Sequence, residues 1–294
     1  MNVPSSYWNK TPVYFAWIQA LNNWIDPDSP EYLSPEKRVA VFDLDGTIWC
    51  EKPYFAEIFF VIDKLKAALQ EDLTKEVRSQ VLDAVAMAEN RFVGSGMMLI
   101  DAFNLVYSDY SNKQLEMMSG EWLDRAQHRD FSCSYLELAY LPMKEWIDAL
   151  HAQQFSCYVC TGSSEPFVRP WIEAVFGIHA DKVLGSELYG NDGNQPIVLN
   201  INEEKICSVK SRCPVDPVLV VGNSDGDLEL LEWALTNNLS AQCYVVDHDD
   251  PEREYQYPLS DTIEHWLAQD STQLTRISMK EDWSRVFTSN HKKV

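Results

Sequence analysis

From residue 140 onward, short apolar runs alternate with amphipathic stretches, and this alternation restricts the fold more than any other feature. Helical periodicity covers 143–153, 166–176, 203–212 and 227–235, and strand-like runs cover 155–160, 182–185, 217–221 and 242–247. Strands separated by helices point to a parallel, doubly wound sheet with its ligand crevice at the carboxyl ends of the strands. An earlier apolar run, Val39-Ala-Val-Phe42, reads as one more buried strand and runs into Asp43-Leu-Asp-Gly-Thr47. Residues 12–24 read as an amphipathic helix before it, and Gly190-Asn-Asp-Gly193 as a hairpin turn. Between the first strand and residue 140 the pattern is helical over 56–70, 75–91, 97–107 and 112–128, with no strand-like run. The expected fold is therefore α/β: a doubly wound, mainly parallel Rossmann-like core from residues 1–49 and 140–294. An inserted all-helical cap, residues 50–139, divides it.

The 294 residues suffice for two such units, and a 46% apolar share is that of a globular chain. Twenty-four Lys and Arg against 45 Asp and Glu leave a charge of −21, which disfavours nucleic acid and anionic membranes as partners. No window resembles a membrane span, and the first 24 residues lack the apolar run and cleavage site of a secretory leader. Seven cysteines follow no disulfide framework. Cys157 and Cys160 lie on one predicted strand and face opposite ways, against a shared metal. The expectation is a soluble protein of a reducing compartment, hence cytoplasmic; oligomeric state is not readable.

Asp43 and Asp45 sit where a doubly wound sheet places its crevice. Two acids one residue apart suit phosphoryl transfer, one attacking phosphorus while the other donates to the leaving oxygen and later activates water. Asp43 also suits a hard cation such as Mg²⁺. An ordinary Asp-Gly turn at a strand end is the plainer alternative.

Phe42-Asp-Leu-Asp-Gly-Thr47 resembles the first motif of the haloacid dehalogenase superfamily, mostly Mg²⁺-dependent phosphatases. The resemblance implies that Asp43 is the nucleophile of a phosphoaspartyl intermediate. Asp45 is then the general acid and base, its carbonyl joining the metal sphere. Three further motifs follow in the family's order. Thr161 and the backbone of Gly162, in Cys160-Thr-Gly-Ser-Ser164, match the phosphate-holding Ser/Thr motif. Lys205 matches the lysine that offsets phosphate charge, with Glu204 in place of the usual Gly and Lys210 too far round the helix to join it. Val218-Leu-Val-Val-Gly-Asn-Ser-Asp-Gly-Asp227 matches the acidic metal loop, except that Asn223 stands where the family usually has Asp. That exchange removes a negative charge and implies weaker metal affinity, aided by Asp225 or Asp227 through water; Asp227 also suits a plain helix cap. The phosphoserine phosphatase-like branch, with a helical cap after the first motif, is most similar.

The resemblance implies a Mg²⁺-dependent hydrolase of small phosphate esters that the cap encloses, with a phosphotransferase, a phosphomutase or a non-catalytic binding relative as alternatives. Glu51 lies near where phosphoserine phosphatases read a substrate amine, with Trp49, Tyr54 and Phe55 close by. That suggests an amine-bearing substrate such as phosphoserine or phosphocholine, although Phe55, Phe59 and Phe60 at helical spacing also suit a core. Arg169 suits either substrate or a core acid. His248, in Asp247-His-Asp-Asp250, suits a solvated turn better than a place behind the site.

Overall fold

A computed structural model describes residues 6–288, apart from 71–73, 75–77, 80, 84, 86–101, 105, 109, 188–197, 239 and 270–273. Helix α1 (Pro12–Ile25) starts at Thr11, whose side chain accepts from the Tyr14 amide, with Pro12 at its first turn. Strand β1 (Val39–Phe42) follows, then α2 (Ala56–Ala68) and α3 (Asn112–Leu123). A two-stranded ribbon comes next, β2 (Gln127–His128) and β3 (Cys133–Ser134), then α4 (Leu141–Ala152), β4 (Ser156–Ser164), α5 (Glu165–Phe176) and β5 (Val183–Ser186). The chain closes with α6 (Glu203–Arg212), β6 (Leu219–Gly222), α7 (Leu228–Asn237), β7 (Gln242–Asp247), α8 (Asp261–Leu267), β8 (Leu274–Ser278) and α9 (Met279–Asp282).

Six strands form one sheet in the order β5-β4-β1-β6-β7-β8, every pair parallel. Period-two alternation covers both faces with apolar side chains. Ala40, Phe42, Cys157, Val159, Leu219 and Val221 join the cluster that holds Trp17 and Trp146 of α1 and α4. Val39, Val41, Tyr158, Cys160, Val220 and Cys243 join the opposite one, with Val209 of α6 and Leu230 and Leu231 of α7. Cys157 and Cys160 thus face opposite sides. Because the chain leaves β1 for β4 on one side and returns to β6 on the other, the strand order reverses at β1. The carboxyl ends of β1, β4 and β6 border one crevice.

Four sequence expectations change. The helix expected over 112–128 ends at Leu123, and beyond it the His128 ring turns inward. Its Nε2 bonds the Lys52 carbonyl at 2.7 Å, and the ring packs on Phe131 and Tyr135. The β2–β3 ribbon around it means that the chain between β1 and α4 is not purely helical. Strand β4 continues through Thr161-Gly-Ser-Ser164, since Ser164 pairs with Ser186 after a register shift. Edge strand β8, only partly buried, carries too weak an alternation to be read from sequence. The expected helices 75–91 and 97–107 fall largely outside the described residues, although 78–79, 81–83, 102–104 and 106–107 are helical. The expected turn at 190–193 lies wholly outside them, but Glu187 and Val198 exchange backbone hydrogen bonds on either side.

Candidate active site

Strand β1 ends against β6, with the Asp43 amide donating to the Val221 carbonyl at 2.9 Å. The chain then turns tightly: the Thr47, Ile48 and Trp49 amides all point at the Leu44 carbonyl. Gly46, at φ +82°, is needed there, because a Cβ would stand 2.0 Å from the Asn223 side chain. The turn aims Asp43 and Asp45 into a cavity of about 730 Å³ whose lining also includes Thr161, Gly162, Lys205 and Asn223.

Lys205, 3% exposed, donates from Nζ to Asp43 Oδ1 and to Asp227 Oδ1, both at 2.7 Å. Lys210, by contrast, lies over the Trp233 ring. Burial and the nearby Asp227 charge, partly offset by Lys205, push the Asp43 carboxyl up to about 7. Asp45 accepts from Ser163 Oγ (2.8 Å) and Thr161 Oγ1 (3.4 Å) on Oδ2, while its buried Oδ1 has no partner. Burial and then the Asp43 charge push this carboxyl up to about 8.

Asn223 closes the group. Its side-chain amide meets Asp43 Oδ2 (3.3 Å), the Asp45 carbonyl (3.2 Å) and Thr47 Oγ1 (3.2 Å), and with its nitrogen on this side it shares two N–H donors among the three oxygens. Among the described residues, no three His, Cys, Asp or Glu gather as a metal cluster. The oxygens beside Asn223 are instead one carboxylate and one main-chain carbonyl, to which the amide adds its own oxygen when turned. An all-oxygen set with an excess of buried acid fits the Mg²⁺ that the first motif implies. Asp227 was expected among the ligands, but its oxygens are otherwise engaged. Oδ1 takes Lys205, and Oδ2 takes the amides of Asn223 (3.0 Å) and Ser224 (3.1 Å). It therefore holds Lys205 and the loop after β6 in place.

Two other expectations are corrected. Arg169 does not line the cavity; its guanidinium pairs with Glu165 and faces Glu116. His248 is no solvated turn: it is 1% exposed, with Nε2 on the Gly46 carbonyl (2.7 Å) and Nδ1 on Glu254 (2.9 Å). It braces the turn after β1 from behind. Glu51 does line the cavity, yet its carboxylate holds the chain's own Lys52 ammonium at 2.9 Å, which also lies 4.2 Å from the centre of the Tyr257 ring. Of the aromatics near it in sequence, Trp49 is buried in the core and Phe55 alone reaches the cavity.

Some contributors carry no motif signal. Ser163 orients Asp45, and only its period-two relation to Thr161 along β4 hints at this. Buried Asn200 donates to the Thr161 and Leu184 carbonyls (3.1 and 2.6 Å) and accepts from Ser208 of α6 (2.7 Å). It thereby ties the segment carrying Lys205 to the strand carrying Thr161. Glu57 of α2 accepts from the Ser164 amide (3.0 Å) and the Tyr107 hydroxyl (2.7 Å), joining the segment after β1 to the end of β4.

The sequence profile of the haloacid dehalogenase-like hydrolases matches residues 40–232, which span the whole constellation. The chain belongs to that family. The fold of this hydrolase also matches a functionally unknown protein from Anaerococcus prevotii over 100% of its own length and 99% of the other's, at 13% identity and TM-score 0.64. A protein of unknown function from Bordetella pertussis matches over 81% and 98%, at 15% identity and TM-score 0.51. A phosphoserine phosphohydrolase-like protein from Francisella tularensis matches over 80% and 99% at 11% identity, but its TM-score of 0.42 is too low to bear on function. No curated protein matches the sequence. Among the described residues of this hydrolase, no helix is long and apolar enough to cross a membrane.

Proposed function

We propose that this hydrolase cleaves phosphate monoesters of small molecules through a phosphoaspartyl intermediate on Asp43. Its main support is the pair of carboxyls that one tight turn aims into the cavity: Asp43 is held by Lys205, whereas Asp45 is held by the Ser163 and Thr161 hydroxyls and pushed by burial up to about 8. A carboxyl at about 8 carries a proton at neutral pH, as a general acid must.

Asp43 attacks phosphorus, forming a new P–O bond as the bond to the leaving oxygen breaks, and the Asp45 proton goes to that oxygen. Asp45 then takes a proton from water as the water oxygen attacks phosphorus, which frees phosphate and restores Asp43. Lys205 spends two of its three N–H donors on Asp43 and Asp227, leaving the third for a phosphoryl oxygen. Thr161 and the Gly162 backbone stand beside it on β4. Asp43, the Asp45 carbonyl and Asn223 would hold Mg²⁺, which when bound supplies positive charge to the phosphoryl oxygens. The segment between β1 and α4 acts as a lid, contributing Phe55, Glu57, Ile58 and Phe103 to the cavity wall and excluding water. All seven cysteines are free thiols, which suits a reducing compartment such as the cytoplasm.

Release of p-nitrophenol from its phosphate tests the reading. It should require Mg²⁺ and vanish with EDTA; no release in either condition would refute a phosphatase. The exchange at Asn223 gives a separate test on the metal alone. Asn223→Asp restores a carboxylate beside Asp43 and should tighten Mg²⁺ binding by about tenfold or more, measured by titration calorimetry. Unchanged affinity would remove Asn223 from the metal site.

A further inference from the structure

Beyond the reacting groups, every charged side chain lining the cavity already has a partner in the protein. Lys52 and Glu51 pair at 2.9 Å, with the ammonium over the Tyr257 ring. Glu57 is taken by Ser164 and Tyr107, and Asp225 accepts from the Ser260 hydroxyl. The one cation among these residues, Lys52, is thus taken, as is Glu51, while Glu57 and Asp225 are held by neutral amide or hydroxyl donors.

Ser163, Ser164, Ser186, Ser224 and Ser260 also border the cavity, but the larger part of the remaining wall is apolar. Phe55 and Ile58 come from the start of α2, Phe103 from the helical residues 102–104, Leu199 and Ile201 from before α6, and Leu259 from after β7. Phe55 and Ile201 are each 43% exposed, leaving apolar surface open for a ligand to cover. Ile201 also touches the phosphate corner: its Cγ2 lies 3.1 Å from where a Cβ on Gly162 would stand. The apolar surface therefore begins next to the phosphoryl-holding backbone. The volume, about 730 Å³, falls among sites that enclose ligands much larger than phosphate.

We propose that the leaving group is a bulky, uncharged, largely apolar alcohol, seated against Ile201, Phe55 and Phe103, and not an amino alcohol. This rests on the phosphomonoesterase reading and specifies its substrate class. It also reverses the amine-bearing expectation, because the carboxylate assigned to the amine holds Lys52.

Kinetics on ethyl, butyl and hexyl phosphate test this, since the alcohols have similar leaving-group chemistry and differ in apolar length. Burial of each methylene should raise kcat/KM by about threefold to fourfold, with 2-aminoethyl phosphate no better than ethyl phosphate. Ile201→Ser and Phe55→Ser, at partly exposed positions where folding is little at risk, should flatten the slope of the series. A flat or falling series in the wild-type enzyme, or a preference for 2-aminoethyl phosphate, overturns the inference while leaving the phosphatase reading intact. A slope that persists in both variants overturns the assignment to this wall. No hydrolysis of any ester, p-nitrophenyl phosphate included, defeats the phosphatase reading and the inference with it.

Discussion

Asp43→Asn should lower turnover of every phosphomonoester by at least about a thousandfold while the protein remains folded. The side chain is nearly isosteric, Lys205 keeps Asp227 as a charge partner at 2.7 Å, and β1 with its turn is held by backbone bonds that the exchange does not touch. Stability should respond in the opposite direction. Burial and Asp227 lift the carboxyl from 3.8 to about 7 on folding, despite Lys205. A carboxyl raised in this way costs stability as pH climbs from its unfolded value towards its folded one, and an amide has no such cost. With EDTA present, the variant should therefore melt no lower than wild type at pH 8, and its relative advantage should shrink towards pH 4. Thermal melts beside initial rates separate the two effects. Turnover within tenfold of wild type in a folded variant would refute the nucleophile.

Lys205→Met should be the most destabilising single change in the site. It removes the shared cation from two carboxylates that are 8% and 1% exposed, leaving acids buried without compensation. Breaking such a pair from one side costs about 3–5 kcal/mol. For a chain of this size that is a fall in Tm of roughly 6–20 °C. Lys210→Met, on the same helix but over Trp233, should stay within about 0.5 kcal/mol of wild type. Calorimetric melts of the two variants at neutral pH make the comparison. Equal melting temperatures would mean that Lys205 does not hold the site together.

The central strands and the positions of Asp43, Asp45, Thr161, Lys205 and Asn223 were legible because each depends on a local pattern: an apolar run, then a polar loop or a helix start. Roles that depend on what meets across the fold were not. Asp227 reads equally well as ligand or cap until Lys205 is seen on one oxygen and the Asn223 amide on the other. His248 sits in an acidic stretch that looks solvated, and only the packing of β7 beside β6 carries it under Gly46. Glu51 shows why proximity in sequence misleads: an acid among aromatics suggested a ligand amine, and the next residue supplied the ammonium. Arg169 is absent from the cavity wall, and Glu165, one turn back, pairs with it.

The place of β1 in the sheet bears on how the enzyme is made. During synthesis β1 emerges early, yet Val39 must wait for Ser156 and Ala40 for Leu219 before either edge is hydrogen-bonded. Until then a fully apolar strand is without its neighbours while the intervening chain leaves the ribosome. The nascent protein should accordingly depend on holding chaperones until β6 has been translated, and truncations ending before Leu219 should aggregate, not accumulate as a folded half.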